Sequence, residues 1–346
     1  MNRHLIDKLA GGRELTRQEL RTLVADDSPE TSAYLAERAN AVREQIYGRQ
    51  VFIRGLIEFT NYCKNDCYYC GIRRSNDAVS RYRLTLEQIL HCCRQGYDLG
   101  FRTFVLQGGE DPYWTDERTC QVVGAIRQGY PDCAITLSMG ERSRESYQQL
   151  FDAGADRYLL RHETANSDHY SKLHPQELTL SHRLSCLQAL KEIGFQTGCG
   201  FMVGSPYQTI EHLVEDLCLI RELKPQMVGI GPFLPAANTP FESEPAGSSE
   251  LTIKLLSIVR LLHPRVLLPA TTALGTAEHD GRERGILAGA NVIMPNLSPL
   301  EVREKYLLYD GKIATGDEAA ESIRHLTASM KKIGYEIVTA RGDYLV

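Results

Sequence analysis

The segment Asn61-Tyr62-Cys63-Lys64-Asn65-Asp66-Cys67-Tyr68-Tyr69-Cys70-Gly71 sets three cysteines in a C-x3-C-x2-C spacing. Three thiolates this close fit one face of an iron-sulfur cube and leave the fourth iron without a protein ligand, open to a cofactor or substrate. Zinc is the main structural alternative. A closed zinc site needs four ligands, and neither a fourth Cys nor a His lies in the adjacent loop, so zinc is the weaker reading. The motif sits in a loop of about 25 residues, and loops of that length seldom lack a function. Cys92, Cys93, Cys120, Cys133, Cys186 and Cys218 lie in or beside helical patterns and read as core packing.

The elements that must position this loop follow from hydrophobic patterning. The 346 residues are 42% hydrophobic and 24% charged with a net charge of -5, which describes a globular chain of two ordinary domains or one large barrel. No overall basic field exists to hold nucleic acid, and neither a membrane span nor a signal-peptide core is evident, so a cytoplasmic location with reduced thiols is expected. Residues 1–48 read as a helical cap. From Val51 onward, eight short apolar runs begin near Val51, Thr103, Ala134, Arg157, Thr197, Met227, Val266 and Asn291, separated by amphipathic stretches. The helical stretches are Leu86 to Tyr97, Thr115 to Gln128, Arg144 to Ala153, Leu180 to Ile193, Ile210 to Leu223, Leu251 to Leu262, Arg282 to Ala288 and Asp317 to Ile333. Eight β/α units predict an α/β fold, a (β/α)8 TIM-like barrel over 49–346 with a short C-terminal extension. Chemistry then belongs at the C-terminal ends of the strands, where Glu58, Gln107 to Asp111, Ser138 to Glu141 and Arg161 to Thr164 fall.

With the cysteine loop after the first strand and Tyr69 as the aromatic before the last cysteine, the chain resembles the radical S-adenosylmethionine superfamily. Gly108-Gly109-Glu110 after the second strand resembles that superfamily's second motif, whose backbone and carboxylate receive the methionine ammonium. The resemblance implies one 4Fe-4S cluster held by Cys63, Cys67 and Cys70, with S-adenosylmethionine chelated to the open iron and cleaved to a 5′-deoxyadenosyl radical. A barrel suits so reactive a species, which must be kept from solvent.

Longer strings, among them the run from Arg157 to Asn166 (RYLLRHETAN) and Val292-Ile293-Met294-Pro295-Asn296, are similar to the HydE family of FeFe-hydrogenase maturases. That resemblance implies that Glu163 binds the amino group or ribose side of the cofactor and Arg183 its carboxylate. It also implies that Thr136, Arg157, Arg161, Thr271, Thr272 and Met294 line an internal substrate cavity. Tyr306 and Tyr309 match two tyrosines near the family's substrate, and at i, i+3 they equally fit a pair covering the core. The implied substrate is a small organometallic or sulfur-containing species, a cysteine bound to iron carrying CO and cyanide. The implied partners are a low-potential electron donor and the scaffold and tyrosine-cleaving maturases. Many members carry three further cysteines near the C-terminus for a second cluster; no cysteine follows Cys218 here, so that cluster is expected to be absent. His162, His169, His174 and His182 read as solvated or packing residues.

Two other readings remain open. Methylornithine synthase and biotin synthase are related radical enzymes; Cys199 sits where biotin synthase places a ligand of its sacrificial cluster, but the VLQGGED and ITLSMG strand ends offer no companion thiols. A non-enzymatic iron-sulfur carrier would favour four protein ligands and no cofactor pocket, against the three ligands and GGE motif found here.

Overall fold

The computed structural model describes residues 2–313, 316 and 318–345. Among the described residues there are eleven strands: β1 (Gln50–Ile53), β2 (Gly55–Thr60), β3 (Thr103–Gly108), β4 (Ala134–Ser138), β5 (Arg157–Leu159), β6 (Gln196–Cys199), β7 (Met202–Val203), β8 (Met227–Val228), β9 (Gly231–Pro232), β10 (Val292–Ile293) and β11 (Glu336–Val338). β2, β3, β4, β5, β6 and β8 form one parallel sheet in that order. Parallel bridges from Met227 to Leu267 and from Pro269 to Val292, with β10 on β1, carry the pairing round to the first strand. Eight strand positions therefore close a barrel.

Six crossover helices begin with a Ser or Thr whose side chain accepts a backbone N–H of the first turn: Thr85, Thr115, Ser143, Thr179, Thr209 and Ser248. Each such cap contributes about 1 kcal/mol and fixes where a βα loop ends and its helix starts. Leu180–Ile193 and Ile210–Leu223 fall on the residues expected from periodicity. At the N-terminus, the helices Arg3–Ala10, Arg17–Ala25 and Pro29–Tyr47 lie against the barrel's outer helices, and buried Lys254 donates to the Val24 carbonyl at 2.7 Å.

Four departures from the sequence expectations have physical causes. The run from Val51 to Phe59 divides at Arg54, because β1 pairs with β10 and β11 whereas β2 pairs with β3. The run near Val266 makes isolated bridges and no continuous strand; Pro269 lacks the N–H that a ladder needs. Three short helices, Ser167–Leu173, Thr272–Ala277 and Leu300–Arg303, occupy strand-end loops and are too brief for a periodicity signal. Finally, β11 was not expected: it pairs parallel with β1, and the tail after it crosses the bottom of the barrel, where the Arg341 carbonyl accepts from Thr103 at 2.8 Å. The last long helix spans Ala319–Lys332, and its expected start at Asp317 lies outside the described residues.

Candidate active site

Above the strand ends lies a cavity of about 280 Å³ lined by Cys63, Cys67 and Cys70, Gln107 to Glu110, Arg161, Glu163, Arg183, Tyr69, Tyr306 and Tyr309. The cysteine loop that forms one wall is held by its own polar groups. The Arg81 guanidinium donates to the carbonyls of Asn61, Ile72, Arg73 and Asn76 at 2.5 to 3.2 Å, so four inward-facing acceptors are satisfied by one cation. Arg73 pairs with Asp66 at 2.7 Å within the loop. Two glycines permit close approach. A Cβ on Gly109 would stand 2.2 Å from the Tyr62 carbonyl oxygen and 2.7 Å from Cys63 Cβ, and one on Gly71 would stand 2.2 Å from the Leu307 carbonyl oxygen. Only glycine lets the GGE turn and the 306–309 segment press against the cysteine loop.

The thiols are partly accessible through the cavity and otherwise enclosed by protein. Burial and the neighbouring thiols push Cys67 well above the ordinary thiol range, and burial, then Cys63, pushes Cys70 up to about 12. Three thiolates crowded together in this setting call for a cationic guest. Among the described residues, no three His, Cys, Asp or Glu side chains converge on a single metal position. Thiolates bound to three different irons stand further apart than thiolates sharing one zinc, so the donor set suits a cube and not a lone zinc ion.

The polar groups facing the thiols are incompletely bonded. Glu110 Oε1 accepts from the Glu141 N–H at 2.9 Å, whereas its Oε2 has only an ion pair to Lys64 at 3.3 Å without hydrogen-bond geometry. Glu163 Oε2 and Arg161 Nη2 lie 3.1 Å apart, again without that geometry, and Arg161 Nε is also unbonded. Buried carboxylate oxygens and guanidinium N–H groups are costly to leave unbonded, so two acceptors and a cation await a polar guest. Arg183 is tied to Glu141 at 2.5 Å and to the Arg161 carbonyl at 2.7 Å, at the cavity wall.

The positions expected at the substrate cavity separate. Arg161 lines the main cavity, as do Tyr306 and Tyr309. Tyr306 Oη accepts from Gln107 Nε2 at 3.3 Å while its ring also packs in the core, so the two readings of this tyrosine coincide. Thr136 and Met294 border a small void of about 20 Å³ deeper in the barrel, where the Thr136 hydroxyl has no partner. Thr271 and Thr272 do not line the main cavity: the Thr271 hydroxyl caps Leu274 N–H, and Thr272 opens the helix that follows. Arg157 is placed at the opposite end. It is fully buried at the start of β5 and binds Asp343 at 2.7 Å and the Arg341 carbonyl at 2.9 Å, because a cation at the beginning of a parallel strand points to the bottom of the barrel.

Three functional neighbours were not anticipated. The Tyr170 carbonyl, which only accepts, makes His174 Nδ1 the donor at 3.0 Å, and burial lowers the ring from 6.5 to about 3, so it is neutral and its Nε2 accepts from the Tyr69 hydroxyl 3.1 Å away. Lys312 forms a buried ion pair with Glu58 and donates to the Tyr306 carbonyl at 3.1 Å, pinning the 306–312 segment over the barrel. Asp216 binds His162 beneath Glu163. Its signal was legible: an acid at i+3 from Leu213 and i−4 from Ile220 lies on the apolar face of its helix.

Residues 57–220 match the family model of the radical SAM superfamily. The chain is 42% identical over 332 residues to the [FeFe] hydrogenase maturase subunit HydE of Thermotoga maritima, covering 96% of this chain and 94% of that protein. The chain belongs to the HydE family of radical SAM enzymes. Also similar is the 3-methylornithine synthase of Methanosarcina barkeri, at 30% identity over 92% of this chain and 89% of that one. A crystal structure of methylornithine synthase superposes with a TM-score of 0.86 at 29% identity, over 96% of this chain and 97% of that one. Membership in the HydE family brings a 4Fe-4S cluster and S-adenosylmethionine as cofactors and a small-molecule substrate. The three thiols and the unbonded carboxylate oxygens are chemically suited to that pair. Among the described residues, no helix is long and apolar enough to cross a membrane.

Proposed function

We propose that the chain is a HydE-type maturase that directs a 5′-deoxyadenosyl radical at the sulfur of a cysteine bound to an iron carrying CO and cyanide, a step in assembling the FeFe-hydrogenase two-iron subcluster. The observation that carries this reading is the Arg161 guanidinium, ion-paired with Glu163 but with Nε and Nη2 lacking hydrogen bonds, on the same cavity as the three thiols, in a chain 42% identical to a HydE maturase. When bound, the cluster and S-adenosylmethionine supply the electron and the radical. The residues of the chain bind and orient. Cys63, Cys67 and Cys70 would hold the cluster. Glu110 with the Gly108-Gly109 backbone and Glu163 receive the cationic side of the cofactor, Arg183 its carboxylate, and Tyr69 borders it, held by His174. Arg161 draws the anionic iron complex toward the strand ends, and Tyr306 and Tyr309 close the wall above it, so that water is excluded from the radical's path. The other maturases and a low-potential electron donor are the partners, and the cytoplasm the location, of this reading.

The test is product analysis of anaerobically reconstituted protein given S-adenosylmethionine and either the iron-cysteine precursor or lysine. Turnover of the precursor is expected. Rearranged lysine with no reaction of the precursor would establish the methylornithine-type reading instead.

A further inference from the structure

The cysteine loop leaves and re-enters the barrel through a two-stranded neck. The Asn61 N–H donates to the Tyr82 carbonyl at 3.3 Å and the Leu84 N–H to the Phe59 carbonyl at 2.8 Å, with an antiparallel bridge between Thr60 and Arg83. Where the neck begins, β2 bulges: Glu58 pairs with Gln107 on β3 and Thr60 pairs with Gly108, so Phe59 is an extra residue. A bulge re-aims the side chains beside it, and this one sets the wholly buried Thr60 against the end of β3. The approach is close, since a Cβ on Gly108 would stand 2.7 Å from Thr60 Cγ2.

Asp111, the residue after Glu110, closes this neck onto the GGE turn. Four hydrogen bonds meet its fully buried carboxylate. Oδ2 accepts from Thr60 Oγ1 at 2.8 Å and from Arg83 Nε at 2.7 Å, and Oδ1 accepts from Arg83 Nη2 at 2.9 Å and from the Tyr113 N–H at 3.0 Å. The Arg83 guanidinium stands 3.8 Å from the Tyr62 ring centroid and 4.7 Å from that of Tyr113, which further limits its movement. One carboxylate thus joins both sides of the neck to the turn that carries Glu110. The other ties between turn and loop are the Gly109 N–H to the Thr60 carbonyl at 3.3 Å, the Lys64 N–H to the Glu110 carbonyl at 2.8 Å, and the Lys64 ion pair with Glu110, whose lysine is exposed.

We infer that Asp111 is a positioning residue that sets the spacing between the three thiols and the Glu110 carboxylate. The inference rests on the reading in which Glu110 receives the cationic side of S-adenosylmethionine. Thiols and carboxylate ride on different segments, the cysteine loop and the end of β3, so a ligand that must reach from an iron to Glu110 depends on how firmly those segments are joined. Asp111 touches neither the thiols nor the cavity. Its charge-assisted bonds to a forked guanidinium, with the Thr60 hydroxyl on the opposite side of the neck, fix both distance and direction.

The experiment uses the full chain, reconstituted anaerobically, and reads iron content, thermal midpoint and the Kd for S-adenosylmethionine. The Kd is taken from the change that the cofactor makes in the electron paramagnetic resonance spectrum of the reduced cluster. Asp111→Ala removes the carboxylate, and Thr60→Val removes only a hydroxyl that donates to it, at nearly equal size. Arg157→Leu breaks a buried ion pair at the bottom of the barrel and shows what lost stability alone does to affinity; Glu110→Gln tests the carboxylate that Asp111 is said to place. Wild-type iron is expected in all four variants, with Kd raised about tenfold or more in Asp111→Ala, less in Thr60→Val and not at all in Arg157→Leu. Weakened binding in Glu110→Gln with wild-type affinity in Asp111→Ala and Thr60→Val would overturn the positioning role alone, whereas wild-type affinity in Glu110→Gln would overturn the reading beneath it. Iron lost in step with affinity would also overturn the role, by making Asp111 a support of the cysteine loop only. Should Asp111→Ala fail to fold, Thr60→Val decides by the same criteria.

Discussion

His162 donates from Nε2 to Asp216 Oδ1 at 3.1 Å, with both side chains wholly buried, and this pair holds the turn that presents Glu163. The Gly200 N–H donates to His162 Nδ1 at 3.3 Å, which fixes the tautomer, and the Ala165 N–H joins the same Asp216 oxygen at 2.6 Å. Glu163 lies between these anchors at φ 63°, a left-handed conformation that costs a residue with a Cβ roughly 1 kcal/mol or more. Asp216→Leu leaves the His162 and Ala165 donors unmet, an expense of about 1 to 3 kcal/mol that relaxation of the turn would relieve. Isothermal titration should show S-adenosylmethionine affinity reduced about tenfold with iron content unchanged, while Asp216→Asn, which retains an acceptor, stays near wild type. Wild-type affinity in the Leu variant would separate the pair from Glu163.

Glu163 itself offers a more direct measurement. Its Oε2 faces the cavity with an ion pair to Arg161 and no hydrogen bond, and Glu163→Gln removes the charge without touching a thiol. Charge-assisted hydrogen bonds contribute roughly 1.5 to 3 kcal/mol, so affinity for S-adenosylmethionine should fall tenfold or more while cluster assembly is retained. Equal affinities in a binding titration would mean that the carboxylate serves only Arg161.

The barrel and the cysteine loop were legible because their signals are local: short apolar runs alternating with amphipathic stretches, and a fixed cysteine spacing. β11 was not, since Glu336-Ile337-Val338 becomes a strand only by pairing with β1, nearly three hundred residues away. The same long-range event explains Arg157. A resemblance placed it with Arg161, but the four residues from the start of β5 to the loop beyond its end carry a side chain from the bottom of the barrel to the top, and the tail's Asp343 captures the lower one. Lys312 was hidden for the opposite reason: a lysine in a polar loop looks solvated until the loop folds down onto Glu58.

The neutral His174 predicts a pH dependence. Burial, the largest cause, lowers it from 6.5 to about 3, so the unfolded chain takes up a proton below pH 6.5 that the folded protein refuses. Stability from this group is therefore complete above pH 6.5 and is lost as the pH falls toward 3; by pH 5 the loss amounts to about 2 kcal/mol. Anaerobic thermal denaturation should show wild type losing more between pH 7 and pH 5 than His174→Gln, which has nothing to titrate. Parallel losses in the two proteins would place the titrating groups elsewhere.

The cluster ligands make the plainest prediction. Replacing Cys63, Cys67 or Cys70 singly by Ser removes a thiolate from a three-ligand set and should eliminate most bound iron and all cleavage of S-adenosylmethionine. The same change at Cys199, fully buried on β6 outside the cavity, should leave both intact apart from the modest packing cost of a buried hydroxyl. Iron analysis and 5′-deoxyadenosine release are the readouts; iron retained in a Cys67→Ser protein, or replaced by one tightly held zinc in wild type, would contradict the ligand set.

Arg161 and Arg157 provide the sharpest contrast, since they lie four residues apart and at opposite ends of the barrel. Arg161→Leu removes from the cavity a guanidinium short of hydrogen bonds and should reduce turnover of the anionic iron complex by roughly tenfold to a hundredfold, the equivalent of one charge-assisted contact, while uncoupled cleavage of S-adenosylmethionine survives. Arg157→Leu instead removes the donor that joins the Arg341 and Gly342 carbonyls to the Asp343 carboxylate, which keeps Gln196 and Arg341 as partners. The thermal midpoint should drop, with about 2 kcal/mol lost, and whatever protein remains folded should turn over precursor and cofactor in the wild-type ratio. The ratio of product to 5′-deoxyadenosine, measured for both variants below their midpoints, decides the matter: it must collapse for Arg161→Leu and hold for Arg157→Leu. A collapse at Arg157 would return that residue to the substrate's side of the barrel, against the position given to it by Asp343.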